Sequence, residues 1–135
     1  MTPPDRRATL SPAGRCPCLS GETFGACCAP FHRGDSAAPT AERLMRSRFS
    51  AFAVGDAEYL LRTWHPSTAP GELELDPARR WTRLDILGTV RGSMLDTEGI
   101  VEFRAWFRSP DGAGDQHESS RFVREGGRWY YLDAL

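Results

Sequence analysis

All four cysteines of the chain lie in one short stretch near its N-terminus, and this cluster constrains the fold more than any other feature. The stretch reads RCPCLSGETFGACCAPFH, and it contains Cys16, Cys18, Cys27 and Cys28. Four thiolates that converge from a short loop are typical of a tetrahedral zinc site, in which each sulfur lies about 2.3 Å from the metal. The stretch therefore predicts a small zinc knot with one structural ion.

Two other interpretations of the cysteines remain open. Disulfides would have to join the first pair to the second pair, because adjacent cysteines bridge each other only with strain. A redox centre usually has Cys-x-x-Cys spacing, which this stretch lacks. Within the metal interpretation, His32 follows Cys28 closely and is an alternative ligand, although four cysteines at this density make it the weaker candidate. Four protein ligands leave no position for a substrate, so such an ion would be structural.

Charge and hydropathy exclude several classes of partner. The chain has 135 residues and a formal net charge of -1, and its basic residues form no cluster of the kind that binds phosphate backbones. No apolar run approaches the roughly 20 residues that cross a bilayer, and no apolar segment follows the basic N-terminal residues as it would in a secretory signal. We expect a cytoplasmic protein with no nucleic-acid and no membrane partner. In a reducing cytosol, clustered cysteines hold metal more often than disulfides.

The chain divides into three parts. Residues 1–14 are rich in Pro and Arg without apolar periodicity, and they predict a disordered lead. Residues 15–34 contain the zinc-binding motif. Residues 40–135 have the length and the apolar content of the main domain.

The first part of the main domain has helical patterning. Thr40 is a suitable N-cap and Gly55 a suitable end for a helix over residues 40–55. A second, short helix is expected after the cap Asp56 and before Pro66. The first helix carries an apolar stripe formed by Leu44, Met45, Phe49 and Phe52.

From Trp81 onward the apolar pattern alternates, which is typical of strands. The candidate strands are WTRLDILGTVRG, GIVEFRAWFRS, QHESSRFVRE and RWYYLDAL. The cluster SPDGAGD predicts the turn after the second strand, and Gly126-Gly127 predicts a tight hairpin before the last. Helices followed by an antiparallel meander indicate an α+β fold.

The motifs resemble a known family. The pattern Cys-x-Cys-x8-Cys-Cys, with Pro17 inside the first pair and Ser20-Gly21 after it, resembles the SEC-C motif. The strings LMRSRFSAF, YLLRTWHPST, VEFRAWF, HESSRFVRE and RWYYLD are similar to the uncharacterised YchJ-like family of small bacterial proteins. In that family the zinc motif precedes a nuclear transport factor 2-like (NTF2-like) domain. The resemblance implies a cystatin or NTF2-like cone, with helices packed into a curved antiparallel sheet, and it implies no activity.

Several polar residues fall on faces of the main domain that should point inward. Arg48 lies in the apolar stripe, where a charge is costly unless it is paired, and Glu118 is the expected partner with Glu102 as the second choice. Apolar walls with a few convergent polar groups are typical of ligand sites. The candidate pocket at the mouth of the cone comprises Arg48, Tyr59, Trp64, His65, Trp106, His117 and Glu118.

A catalytic interpretation of this pocket is weak. It would use His117 or His65 as a general base oriented by Glu118. The adjacent strand residues His117 and Glu118 point to opposite faces, however. The chain also contains no P-loop, nucleophile elbow, paired-carboxylate motif or His-Glu-x-x-His helix. We assign no catalytic residues and leave enzymatic activity undecided, with the sequence leaning against it.

The expected function is that of a zinc-binding protein of unknown molecular activity, acting as a protein-binding or adaptor module for an unidentified protein. The alternative is a small-molecule-binding or enzymatic cone domain with a pocket near Arg48, Trp64, Trp106 and Glu118. A homodimer through the sheet face is a further expectation. Arg15 and Arg33 flank the cysteines and are expected to offset the negative charge of four thiolates.

Overall fold

The computed structural model describes residues 11–135, and in that range three helices precede four strands. The helices are α1 (Ala29–Arg33), α2 (Ala41–Val54) and α3 (Ala57–Arg62). The strands are β1 (Arg80–Arg91), β2 (Glu98–Ser109), β3 (Gly112–Glu125) and β4 (Arg128–Ala134). None of these helices is long and apolar enough to cross a membrane.

The predicted disordered lead, residues 1–14, falls mostly outside the described residues. Its last residues form backbone hydrogen bonds with the segment between the two cysteine pairs. The Gly14 carbonyl accepts a hydrogen bond from Phe24 N at 2.9 Å, and the Pro12 carbonyl accepts one from Gly25 N at 2.8 Å. Phe24 is buried, as expected of an apolar anchor between the cysteine pairs. Residues 11–14 are therefore packed against the cysteine segment.

The boundaries of α2 and α3 agree with the capping residues in the sequence. The Thr40 side chain accepts a hydrogen bond from Arg43 N at 3.1 Å, which satisfies one of the free donors at the start of α2. Gly55 ends α2 in the left-handed conformation, at φ 78°. The Asp56 side chain caps α3, which ends at Arg62 before the predicted stop. Both helices are confirmed.

The strands form one antiparallel sheet in the order β1-β2-β3-β4, which confirms the α+β fold. The turn between β2 and β3 is shorter than predicted, because Ser109 already pairs with Gly112. Gly114, assigned to the turn, lies within β3 against the ring of Phe107, where an added Cβ would come within 2.7 Å of the ring. This glycine is therefore required for close packing and not for a turn.

Helix α2 lies between the sheet and the cysteines. Its stripe residues Leu44, Met45 and Phe49 are buried in the same core as Val101 and Phe103 of β2. The cysteine side chains and Phe24 belong to this core as well. The two faces of α2 thus contact two different sites.

Candidate metal centre and the neighbouring cavity

The four cysteines are carried by a loop, residues 15–28, that we call the cysteine loop. A short antiparallel bridge between Arg15 and Thr23 closes its first half. The chain reverses between these residues with Leu19 at φ 61° and Gly21 at φ 95°. Cys28 is the N-cap of α1. The reversal and the helix start bring the two cysteine pairs together.

The four sulfur atoms form one compact group, with all Sγ atoms within 4.8 Å of one another. Cys27 Sγ lies 3.7 Å from Cys18 Sγ and 3.8 Å from Cys28 Sγ. Sulfurs bound tetrahedrally at about 2.3 Å from a zinc ion are separated by about 3.8 Å, whereas a disulfide requires about 2.05 Å. The four cysteines are free and at most 2% exposed. The donor set and its spacing fit a four-coordinate zinc ion and exclude disulfides in this arrangement.

Hydroxyl groups surround the sulfurs. Ser50 of α2 is fully buried, and its Oγ lies 3.4 Å from Cys16 Sγ and donates to Cys28 Sγ at 3.3 Å. Ser20 Oγ lies 3.2 Å from Cys27 Sγ. Hydrogen bonds of this kind stabilise thiolates and orient them toward a metal.

The arginines beside the sulfurs come from α2. Arg43 Nη1 is 3.8 Å from Cys27 Sγ, and Arg46 Nη1 donates to the Cys18 carbonyl at 2.9 Å. The prediction that Arg15 and Arg33 offset the thiolate charge is wrong for Arg33, which pairs with Asp35 at 2.9 Å. The Arg15 residue is exposed. Residues that flank the cysteines in sequence need not point toward the sulfurs. Here the arginines that do so come from α2, which packs against the cysteine loop.

His32 lies beside the cysteine loop and is engaged elsewhere. Its Nε2 is 2.8 Å from the Ser47 carbonyl oxygen, which accepts the proton of that nitrogen. The ring contacts Phe24 and Tyr59, at centroid distances of 5.6 and 4.6 Å. The compact group of possible ligands contains the four cysteines without His32.

The thiols of Cys16, Cys18 and Cys28 shift one another's pKa through hydrogen bonds. Hydrogen bonds from the Cys16 and Cys28 thiols lower the pKa of Cys18. The hydrogen bond to Cys18 raises the pKa of Cys16 to about 11, with burial acting in the same direction. Low-dielectric surroundings prevent four like charges from coexisting without a cation. Metal binding at this site must therefore displace protons.

A cavity of about 310 Å³ lies on the other side of α2, between that helix and the sheet. Of the seven predicted pocket residues, Arg48, Trp64 and Glu118 line it. Its remaining lining residues are mostly apolar and aromatic, and they include Phe49, Phe52, Trp81, Phe103 and Tyr131.

Two of the predicted pocket residues lie on the opposite face of the sheet. Trp106 Nε1 donates to Asp85 Oδ2 at 3.0 Å, and His117 Nε2 lies 2.7 Å from Glu102 Oε2. Each directly adjoins a residue that lines the cavity, so strand alternation turns it outward. The prediction does not hold for Trp106 and His117.

The other two, Tyr59 and His65, do not line the cavity. Tyr59 is buried beside α1, with its hydroxyl 2.7 Å from Ser47 Oγ. His65 Nε2 lies 2.8 Å from Glu125 Oε2. No histidine lines the cavity among residues 11–135. The general-base interpretation with His65 or His117 is therefore wrong for this cavity.

The predicted ion pair of Arg48 is absent from the described residues. Arg48 is 4% exposed, and its Nη1 donates to the Leu60 carbonyl and to Thr63 Oγ1, each at 2.7 Å. Its guanidinium lies 4.7 Å from the ring centroid of Tyr131 and 5.3 Å from that of Trp64. Burial lowers the pKa of Arg48 to about 10, so the group stays charged at neutral pH.

Sequence reasoning missed several residues that complete the two sites. Ser50 and Arg43 face the sulfurs, and Arg79 and Trp81 line the cavity. The sequence did contain a pattern that points to Ser50, because Ser47 and Ser50 lie three residues apart on the face of α2 opposite the apolar stripe. Two buried hydroxyls on that face indicate that a polar group packs there.

Two sequence families match the chain. The SEC-C motif matches residues 15–30, and the YchJ middle NTF2-like domain matches residues 40–134. A UPF0225 protein of Streptomyces coelicolor is 55% identical and is matched over 90% of this chain and 95% of its own length. A UPF0225 protein of Deinococcus radiodurans is 50% identical, with 88% and 87% covered.

Two solved structures have the same overall fold. A SEC-C motif containing protein from Rhodopseudomonas palustris, solved in solution, gives a TM-score of 0.78 at 31% identity. The match covers 89% of this chain and 96% of that protein. A crystal structure of a SEC-C motif containing protein from Psychrobacter arcticus gives 0.74 at 30% identity, with 90% and 82% covered.

Proposed function

The chain belongs to the YchJ-like family, in which a SEC-C motif precedes an NTF2-like domain, and from this premise we propose that it is a zinc-binding adaptor protein. The observation that supports the metal is the group of four buried sulfurs within 4.8 Å of one another. The proposal assigns one structural zinc ion to Cys16, Cys18, Cys27 and Cys28.

The ion would act as a cross-link. Four cysteine ligands fill a tetrahedral site, so no position remains for a substrate or an activated water. The bonds would join the two halves of the cysteine loop to each other and, through Ser50, to α2. Zinc would thereby supply most of the folding energy of a loop that has little apolar content of its own.

The adaptor role rests on the outer surface of the cysteine loop. Leu19 is 46% exposed, and its backbone adopts the left-handed conformation at φ 61°. An apolar side chain displayed on a metal-stiffened turn suits contact with another protein. We propose a protein partner that binds this surface and depends on zinc for it.

The test combines metal analysis with partner capture from the native cell extract. We expect one zinc per chain in the wild type and none in Cys16→Ser/Cys18→Ser, which should also lose the partner. Leu19→Asn tolerates the left-handed backbone and removes the apolar side chain, so it should keep zinc and lose capture. Equal capture by the wild type and the double cysteine variant would contradict the adaptor role, and a substoichiometric zinc content would contradict the metal.

A second candidate function is the binding of a small molecule, and the cavity on the inner sheet face favours it. Its volume of about 310 Å³ and its aromatic lining fall in the range of natural ligand sites. Ala105→Leu would fill part of the cavity, so aromatic fragments bound there should bind the wild type and not the variant. Ligand-observed NMR measures this, and a fragment set that binds neither protein would contradict the function.

A homodimer through the sheet face stays a prediction. Two apolar residues of β1, Leu87 and Val90, are 49% and 58% exposed, and they support it. Sedimentation velocity over a hundredfold range of concentration tests it. A mass that stays at that of one chain throughout would contradict the dimer.

A further inference from the structure

Arg48 is a buried cation beside the cavity, and no carboxylate of the described residues pairs with it. It is 4% exposed, and among the described residues only its Nη1 makes hydrogen bonds, to the Leu60 carbonyl and to Thr63 Oγ1. Buried charges are normally paired with an opposite charge, because desolvation is costly. The fold therefore retains a charge whose partner is not supplied by its immediate neighbours.

The polar groups that share the cavity with Arg48 are either neutral or already hydrogen-bonded to other residues. Glu118 lines the same cavity, but its carboxylate accepts hydrogen bonds from Ser120 Oγ at 2.7 Å and from Gln116 Nε2 at 3.4 Å. Tyr131 offers its ring face, and burial raises the pKa of its hydroxyl, as it does for Tyr59. The guanidinium is thus met by dipoles and ring faces instead of an anion.

Further donors at the cavity lack acceptors. Arg79 lines the cavity, with its guanidinium 4.2 Å from the ring centroid of Phe107. Arg79 Nε and Trp64 Nε1 are buried without hydrogen-bond partners among the described residues. Unsatisfied buried donors are rare in folded proteins and usually indicate a missing partner. The cavity therefore has an excess of donors, and two arginines against one glutamate give it a net positive charge.

The walls of the cavity are aromatic. Phe49, Phe52, Trp81 and Phe103 line it, and the Trp81 ring lies 6.2 Å from Phe49 and 6.1 Å from Phe52. Aromatic side chains in this arrangement favour a flat apolar ligand that makes stacked or edge contacts. A volume of about 310 Å³ accommodates one or two rings.

We propose that the cavity binds an aromatic monocarboxylate, whose carboxylate pairs with Arg48 and whose rings pack against Phe49, Phe52 and Trp81. This assignment rests on the small-molecule function and names its ligand class. A carboxylate matches the planar fork of a guanidinium with two parallel hydrogen bonds. One negative charge balances the net charge of the cavity, whereas a dianion would be repelled by Glu118.

The test is calorimetric titration of the zinc-loaded full chain with 2-naphthoate and with its neutral counterpart 2-naphthamide. The two probes share rings and size and differ in charge. We expect the acid to bind about tenfold more tightly than the amide or better, as for a charge-assisted pair in a desolvated site. Equal affinity would overturn the carboxylate assignment while leaving small-molecule binding in place. Failure of both probes to bind at millimolar concentration would overturn both.

Variants locate the bound carboxylate. Arg48→Gln should remove the preference for the acid, and Arg79→Gln should reduce it about threefold through loss of the second cation. Arg83→Gln is the control, because Arg83 is 62% exposed on β1 and pairs with Asp85. An unchanged preference in a folded Arg48→Gln variant would overturn the role of Arg48. If that variant fails to fold, an unchanged preference in Arg79→Gln would overturn the assignment to this cavity.

Discussion

The sulfur group and the cavity lie on opposite sides of α2, and they differ in how their polar atoms are satisfied. On one side the four sulfurs lie within 4.8 Å of one another. Ser50 Oγ lies 3.3 Å from Cys28 Sγ, and Arg43 Nη1 lies 3.8 Å from Cys27 Sγ. On the other side Arg48 is buried without an anion, and Arg79 Nε has no partner among residues 11–135.

This difference is the reason we propose a structural role for the sulfur group and a binding role for the cavity. A closed set of four ligands completes its own coordination and leaves nothing for another molecule. In a cavity whose donors outnumber its acceptors, a bound anion is stabilised because it accepts hydrogen bonds from donors that lost their bonds to water on folding.

Removal of the metal should affect the two sides unequally. Chelation should unfold the cysteine loop, because comparable small zinc sites contribute on the order of 10 kcal/mol to local folding. The four strands pair with one another through backbone hydrogen bonds that do not involve the loop, so they should stay folded. Hydrogen exchange measures both regions. Protection lost equally in β2 and in residues 15–28 would contradict the contrast.

Ser50→Ala should weaken the metal site specifically. It removes the hydroxyl that lies 3.4 Å from Cys16 Sγ and donates to Cys28 Sγ, and loss of such a supporting group costs about 10- to 100-fold in metal affinity. Ser47→Ala is the matched control, since Ser47 is equally buried on α2 and bonds to Tyr59 instead. Competition with a chromogenic chelator measures zinc affinity. The hypothesis fails if the two variants lose affinity equally.

Arg43→Gln should reduce zinc affinity more mildly, by about three- to tenfold, because Arg43 is only partly buried and water screens its charge. Its Nη1 lies 3.8 Å from Cys27 Sγ. Arg33→Gln should have no effect, because Arg33 pairs with Asp35 at the surface. The same chelator competition distinguishes them, and an effect of Arg33→Gln as large as that of Arg43→Gln would restore the original expectation from the sequence.

Ala105→Val should have the smallest effect on stability. Ala105 lines the cavity, so two added methyl groups should fill empty space and change the free energy of unfolding by about 1 kcal/mol or less, in the stabilising direction. Ala51→Val is the control, because Ala51 is fully buried in α2 away from the cavity and overpacking there should cost about 1–3 kcal/mol. Urea unfolding measures both. A loss of 2 kcal/mol in Ala105→Val would show that no free space adjoins this residue.

Local patterns predicted the architecture well. Thr40 and Gly55 bound α2, Gly126 and Gly127 form the last hairpin, and the buried Val101 alternates with partly buried neighbours. Caps, turns and strand faces depend on residues a few positions apart, so local patterns reveal them. The metal site was equally predictable from the sequence, because its four cysteines lie within a single loop and no contact between distant segments is needed to recognise them.

The cavity was harder to predict, because it depends on the placement of elements that are distant in sequence. The strand β1 has register shifts between Trp81 and Arg83 and between Ile86 and Gly88, and neither shift is evident from residue alternation. Arg48 was expected to pair with Glu118, although the end of α3 supplies a backbone carbonyl and a threonine hydroxyl instead. Trp106 and His117 point outward because side chains alternate along β2 and β3 and the residues next to them face the cavity.

Ser50 and Arg48 lie two positions apart on one continuous helix, and this has a thermodynamic consequence. A displacement of α2 that altered its contact with the sulfurs would also move the cationic end of the cavity, so the proposed zinc ion and the proposed ligand would share a coupling free energy. By reciprocity, the factor by which zinc changes the affinity for the ligand is the factor by which the ligand changes the affinity for zinc. The zinc content of the protein would then be measurable through its affinity for the ligand.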